Sequence, residues 1–252
     1  MLFFTGERII PKDKECQPDS DIFLEHEARY KFVMGMVKGK IVLDLACGTG
    51  YGTKMMFGAG AKEIWGGDID SELIGDNKEH YKEDKIFFRK MDVAAIPFPD
   101  NYFDIVVSFE TVEHTLKCEQ FMGEAKRILR EGGLFIMSTP NKIATTKLAV
   151  KNPFHVREFV KGELAACLAD HFNKIEFFGQ RPIKGLKTWQ KYLKKVYFVY
   201  RSLKILGFLK KLFPFEWRNK IGQTISGIDG DYKIEKMAAD KEYLYFVVVC
   251  TK

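Results

Sequence analysis

The sequence predicts an α/β fold, a doubly wound and mostly parallel sheet of seven strands with a helical, basic insertion before the last strand. Short apolar runs bounded by Gly, Asp or Pro alternate with helix-compatible stretches, which is the rhythm of βαβ units. The first of those runs ends in an acid and a glycine-rich turn, a pattern suited to holding a ligand at a strand-to-helix connection. At 252 residues the chain is long enough to bury one sizeable core with elaborations around it.

Taken in order, KIVLDLAC (40–47), EIWGGD (63–68), KIFFRKMD (85–92), FDIVVSFE (103–110) and GLFIMSTP (133–140) read as five buried strands. KIEFFGQ (174–180) and EYLYFVVVC (242–250) bring the expected count to seven. The apolar stretches all fall short of the ~18 residues of a spanning helix. MLFFTGERIIPKDKE at the start has no charged leader, long apolar stretch or small-residue cleavage site, so a cytoplasmic location is expected. Five scattered cysteines (16, 47, 118, 167 and 250) without a CxxC pair argue against a disulfide framework or a cysteine zinc site and read as reduced thiols.

VLDLACGTGYG places Asp44, Gly48, Gly50 and Gly52 at the end of the first strand, where glycines let the backbone turn sharply and approach a ligand. No Gly-Lys-Ser/Thr follows, and Thr53 stands where the dinucleotide fingerprint needs glycine, so a phosphate ligand is disfavoured. Asp68 closes the second strand about twenty residues on, a position from which a carboxylate accepts both hydroxyls of a ribose. Asp92 closes the third, placed to accept an adenine amino group while the Val93 amide faces a ring nitrogen. Asp ends many strands for no functional reason, and it is the ordered set that points to a nucleoside-like cofactor.

On these residues the chain resembles the class I S-adenosylmethionine-dependent methyltransferases, over residues 1 to about 180 and the last strand. VLDLACGTGYG looks like the cofactor loop, GGDID the ribose acid, KMDVAAIPFPDNYFDIVVSFETVEH the adenine acid and fourth strand, and ILREGGLFIMSTPN the fifth. FTGERIIP, EHEARYKF, STPN and NPFHVREF together resemble the subgroup associated with surface-glycan modification in bacteria and archaea. The resemblance implies a Rossmann-like domain over 1–252, with 1–38 a helical cap, 39–180 the cofactor-binding core, 181–240 the basic insertion or lid, and 241–252 the final strand. It implies S-adenosylmethionine held by Asp44, Gly48, Gly50, Asp68, Ile69, Asp92 and Val93. Two departures, Asp70 for a usual serine and Glu131-Gly132 for Pro-Gly, fall outside those contacts.

SFETVEH (108–114) ends the fourth strand in Glu110, Glu113 and His114, beside the place where the cofactor's methyl would point. If helix follows, these three fall at i, i+3 and i+4 on one face. A hydroxyl acceptor needs its proton removed, either by a histidine or by a divalent ion that lowers its pKa. The E-x-x-E-H spacing is similar to the metal-binding stretch of quinone-biosynthesis O-methyltransferases and of enzymes methylating the terminal ribose of small RNAs, and His155 in NPFHVREF is at a place comparable to the further histidine of the RNA group. His114, His155 and Glu113 are therefore the catalytic candidates, and Glu110, Glu113, His114 and His155 the candidate metal ligands. Acids early in a helix are also favoured by its dipole alone. His26, His80 and His171 read as surface or packing residues.

The net charge of +6 is uneven: residues 183–221 carry eleven Lys/Arg against Glu216, so that stretch is +10 and the rest −4. Leu186, Trp189, Leu193, Val196, Tyr200 and Leu203 form an apolar stripe flanked by lysines, the pattern of an amphipathic helix. It reads as a packed lid, a docking site for an anionic acceptor, or an element lying on the inner, anionic surface of a membrane. The expected activity is O-methylation of a carbohydrate or glycan, one carried on a lipid included. The rivals are a metal-dependent methyltransferase for the 3'-terminal ribose of RNA, weakened by the lack of a recognisable RNA-binding module, and a cofactor-binding recruitment module without catalysis.

Overall fold

The computed structural model describes residues 21–148, 152–183 and 232–252. Eight strands form one sheet: β1 (Ile41–Leu45), β2 (Glu63–Asp68), β3 (Ile86–Lys90), β4 (Phe103–Phe109), β5 (Leu129–Pro140), β6 (Lys174–Ile183), β7 (Ile234–Lys236) and β8 (Glu242–Thr251). Their order is β3-β2-β1-β4-β5-β8-β6-β7. β1 to β5 run parallel, and β8 enters antiparallel between β5 and β6. The sheet is thus the doubly wound, Rossmann-like one expected.

The strands alternate as a two-faced sheet must. Leu43, Leu45 and Val106 face one cluster, which Phe121, Met122 and Ala125 of α4 (Cys118–Ile128) and Leu164 and Leu168 of α6 (Lys161–Ala169) complete. Val42, Ile105 and Val107 face the other, with Tyr30 and Val33 of α1 (Asp21–Met34), Met56 of α2 (Tyr51–Gly58) and Ile74 of α3 (Ser71–His80). Helix α5 (Lys142–Leu148) packs Ala144 and Leu148 on Leu244 of β8. Strand order reverses between β1 and β4, so the crevice beyond their carboxyl ends is where a ligand belongs.

Two expectations change. Among the described residues there are eight strands, because β7 adds a three-residue edge paired antiparallel to Phe178–Gln180 of β6. Such a short edge, with two charged residues of three, carries too little pattern to be read as a strand. It also lies inside 181–240, and β6 itself reaches Ile183, so both ends of the span read as a helical insertion belong to the sheet. The stretch between, with the apolar stripe 186–203 and most of the basic residues, lies outside the described residues, as do FTGERIIP and the rest of the cap before Asp21. Among the described residues no helix is long and apolar enough to cross a membrane.

Candidate active site

A cavity of about 660 Å³ opens at the switch point between β1 and β4, walled by α1, the turn after β1, the ends of β2 to β4 and the segments around residues 114–117 and 154–156. Gly48, Asp68, Ile69, Asp92 and Val93, five of the residues expected from the sequence to hold a cofactor, line it. Asp68, 7% exposed, accepts the Gly48 amide on Oδ2 and the Asp70 amide on Oδ1, each at 3.0 Å. A carboxylate has about four acceptor positions, so two remain for a pair of hydroxyls. Ile69 leaves 62% of its surface open beside this acid, an apolar face for a flat ring. Asp92 is fixed by the Ala94 amide at 2.9 Å, and Lys117 Nζ pairs with its Oδ2 at 3.7 Å. Asp70, the departure from the usual serine, caps α3 by accepting the Glu72 and Leu73 amides.

Asp44 and Gly50 support the site from behind and do not line it. Asp44 is buried, accepting Thr53 Oγ1 at 2.6 Å and Tyr30 OH at 3.3 Å. Burial pushes its carboxyl up to about 7, against the lowering effect of those two hydroxyls. Gly50 starts α2 at φ +72°, and a Cβ there would stand 2.9 Å from the rings of Phe88 and Tyr81. Only glycine adopts that turn without strain or displacement of the rings.

The four acid and imidazole candidates separate. The segment after β4 forms a single 3₁₀ turn, Val112–His114, and the one-face register expected from an α-helix is absent. Glu110 adopts φ +48° and accepts Ser138 Oγ at 2.6 Å, with Arg29 Nη1 3.4 Å away, so its carboxylate is directed to α1 and β5. It borders the cavity but stands outside the cluster that the other three form, which corrects its expected place among the metal ligands.

Glu113, His114 and His155 each bring a ligating atom within 4.8 Å of the others. Glu113 is fully buried and accepts Thr139 Oγ1 at 3.0 Å. Its carbonyl accepts the Val156 and Arg157 amides, at 2.9 and 3.2 Å, which clamps the NPFHVREF loop onto the 3₁₀ turn. His114 Nδ1 donates to the Phe154 carbonyl at 3.0 Å, and His155 Nδ1 to Glu158 Oε1 at 2.8 Å. Since those oxygens only accept, the neutral tautomer of each ring carries its lone pair on Nε2. The rings stand 5.1 Å apart and nearly perpendicular. His114 lines the cavity, whereas the His155 side chain is 7% exposed and lies behind it.

The sequence reading expects a helical cap over 1–38 but misses the part that α1 plays in the site. His26 and Tyr30 line the cavity, although His26 reads as a surface or packing residue. Glu25 and Arg29 are buried on the same helix face. Arg29 donates to Gln180 at 2.8 Å and stacks over Tyr245, while Glu25 lies 3.4 Å from Arg181. Burial raises the Glu25 carboxyl to about 7, against the pull of Arg181 and Arg29. The available signal was Glu25, Arg29, Tyr30 and Val33 at spacings of four, one and three within EHEARYKFV. His80 stacks edge-on against Tyr81 and His171 pairs with Glu119, both away from the cavity as expected.

Residues 43–137 match the family described as "Methyltransferase domain". A protein of Mycolicibacterium smegmatis described as "Probable S-adenosylmethionine-dependent methyltransferase" is 35% identical over 66% of this chain and 63% of its own. A ubiquinone biosynthesis O-methyltransferase of Sinorhizobium fredii is 31% identical over 42% of this chain and 43% of its own. The chain therefore spans less than two thirds of these relatives' length. In structure it resembles the YcgJ protein of Bacillus subtilis, with a TM-score of 0.59 at 16% identity over 90% of this chain and 99% of that one, a likeness of fold. The acid with open acceptor positions, the apolar Ile69 face and the glycine turn fit an adenosyl group, and residues 43–137 are similar to the methyltransferase domain that S-adenosylmethionine-dependent methyltransferases carry.

Proposed function

We propose that this protein transfers a methyl group from S-adenosylmethionine to a hydroxyl oxygen of a carbohydrate or glycan acceptor, one carried on a lipid included. The observation that carries the reading is His114 on the cavity wall, with Nδ1 committed to the Phe154 carbonyl and Nε2 therefore the proton-accepting nitrogen. When bound, the cofactor supplies an electrophilic methyl on a sulfonium. Without an ion, the acceptor hydroxyl would give its proton to His114 Nε2 as its oxygen bonds the methyl carbon and the C–S electron pair leaves with sulfur; with one, His114 would serve as a ligand and the proton would leave to solvent or a neighbouring base. His155 and Glu113 bring ligating atoms within 4.8 Å of His114, suited, in the metal form of the reading, to share an ion with it.

Leu116, Phe154 and Val156 rim the same cavity and are 86%, 50% and 50% exposed. An apolar rim beside a polar reacting group suits the C–H face of a sugar ring or the first carbons of an isoprenoid carrier. The +10 stretch at 183–221 would add attraction for a phosphate-linked acceptor or an anionic membrane surface at the cytoplasmic face. Nucleic acid ranks below these.

Incubation with methyl-labelled S-adenosylmethionine and three acceptor sets separates the readings. Label on polyprenyl-phosphate-linked or free glycans supports the proposal. Label on the 3'-terminal ribose of RNA replaces it with the RNA reading, and cofactor binding with no transfer to any set favours a recruitment module.

A further inference from the structure

We propose that Glu113, His114 and His155 form a divalent-cation centre whose ion binds the acceptor oxygen, with Glu158 as its positioning residue. The inference rests on the methyl-transfer reading for its chemistry, but on geometry for the site itself. Two imidazoles and one carboxylate present their ligating atoms within 4.8 Å of one another, the spread of a single coordination sphere. Two histidines and a carboxylate form a three-point set that leaves further coordination positions open, and of the three residues His114 lines the cavity.

The groups behind the three residues make the cluster more than a chance approach. Each imidazole has Nδ1–H directed at an oxygen acceptor, which fixes the ring and puts the lone pair on Nε2, the arrangement by which proteins orient metal-binding histidines. Glu158, which accepts the His155 Nδ1–H hydrogen bond, is itself held by Thr145 Oγ1 at 2.5 Å. Thr139 holds one oxygen of Glu113 at 3.0 Å. Three hydrogen bonds join the two chain segments at this point: those of Val156 and Arg157 to the Glu113 carbonyl and that of His114 to the Phe154 carbonyl. Both sources of ligands are thereby fixed relative to each other before any ion arrives.

The donor set selects the class of ion. Mg²⁺ and Ca²⁺ prefer oxygen throughout, whereas two nitrogens and one oxygen suit Zn²⁺, Mn²⁺, Fe²⁺ or Co²⁺. An ion so held acts as a Lewis acid: it binds the acceptor hydroxyl and lowers its pKa, so that the proton leaves to solvent or to a neighbouring base while the oxygen takes the methyl. His114 is then a ligand and not the base. Glu110, paired with Arg29 and Ser138, has no part in the centre.

The test is the binding of Zn²⁺, Mn²⁺ or Co²⁺ alone to chelator-stripped full-length protein, by calorimetry and by metal analysis after dialysis. About one saturable equivalent is expected in the parent, its loss in His155→Ala, and affinity about 10–100-fold weaker in Glu158→Gln. S-adenosylmethionine binding, unchanged in both variants, reports that they are folded. Absence of saturable binding in the parent, or equal binding in His155→Ala, overturns the centre. Chelation that abolishes methyl transfer, with recovery on adding the ion, supports it; transfer unaffected by chelation overturns the metal while leaving the methyl-transfer reading intact. Saturable metal binding without transfer to any acceptor keeps the centre and removes that reading.

Discussion

Arg29 on α1 and Glu110 at the end of β4 form a buried ion pair, Nη1 to Oε1 3.4 Å, with neither side chain more than 5% exposed. It joins the helix that covers the cavity to the strand that ends beneath it. Gln180, Ser138 and the Tyr245 ring complete the surroundings. Removing one partner of such a pair leaves the other charged in a dry place. Arg29→Met should cost about 3–5 kcal/mol in denaturant unfolding, whereas an exposed change such as Lys78→Met should cost little. An Arg29→Met protein as stable as the parent would show that the pair does not fasten α1.

Glu25, in the same layer, gives a pH dependence. Its carboxyl is raised from 4.5 to about 7 by burial, so between those values the native state holds a proton that the unfolded chain has lost. Stability from this group is therefore present below about 4.5 and is lost as pH rises to about 7, and Asp44, also raised to about 7, acts in the same direction. Glu25→Gln should flatten the fall in unfolding free energy between about pH 5 and about pH 7. An unchanged slope would assign the dependence to Asp44 alone.

Asp68→Ala should weaken S-adenosylmethionine binding by ~1–3 kcal/mol, the range for polar groups left unpaired. The Gly48 and Asp70 amides lose their acceptor as well, so circular dichroism should accompany the calorimetry. A folded variant with parental affinity would remove Asp68 from the cofactor site.

The basic stretch carries a prediction from charge alone. Replacing Lys187, Lys191, Lys194 and Lys195 with Gln should leave cofactor affinity unchanged and reduce association with anionic vesicles or a phosphorylated acceptor. The difference should shrink at high salt, where screening has already weakened the attraction. Equal vesicle binding at low salt would leave these lysines as a solvated face.

What was legible in the sequence was what local spacing encodes. Alternation in β1 and β4 sends Val42 and Leu43 to opposite faces, and Gly48, Asp68 and Asp92 fall at strand ends where a parallel sheet collects ligands. The α1 network was not legible, because Arg29 meets Gln180 across 151 positions and no nearby pattern announces that pairing. Glu110 was misplaced for a related reason: a non-glycine residue at φ +48° is uncommon, and one such turn redirects a side chain that continuous helix would have aligned with His114. The approach of His155 to His114 was expected from the turn after STPN, but its hold by Glu158 depends on a loop conformation that spacing does not specify.

The most direct test of the account is single-turnover transfer from ¹³C-methyl S-adenosylmethionine to a glycan acceptor, with the product read by NMR, in the parent and in His114→Gln. The account predicts a methyl resonance on oxygen in the parent and a rate lower by about 10²–10⁴ in the variant at unchanged cofactor affinity, the range for losing a group that handles the acceptor proton. A product methylated on nitrogen or carbon, or a His114→Gln rate equal to the parent's, would contradict it.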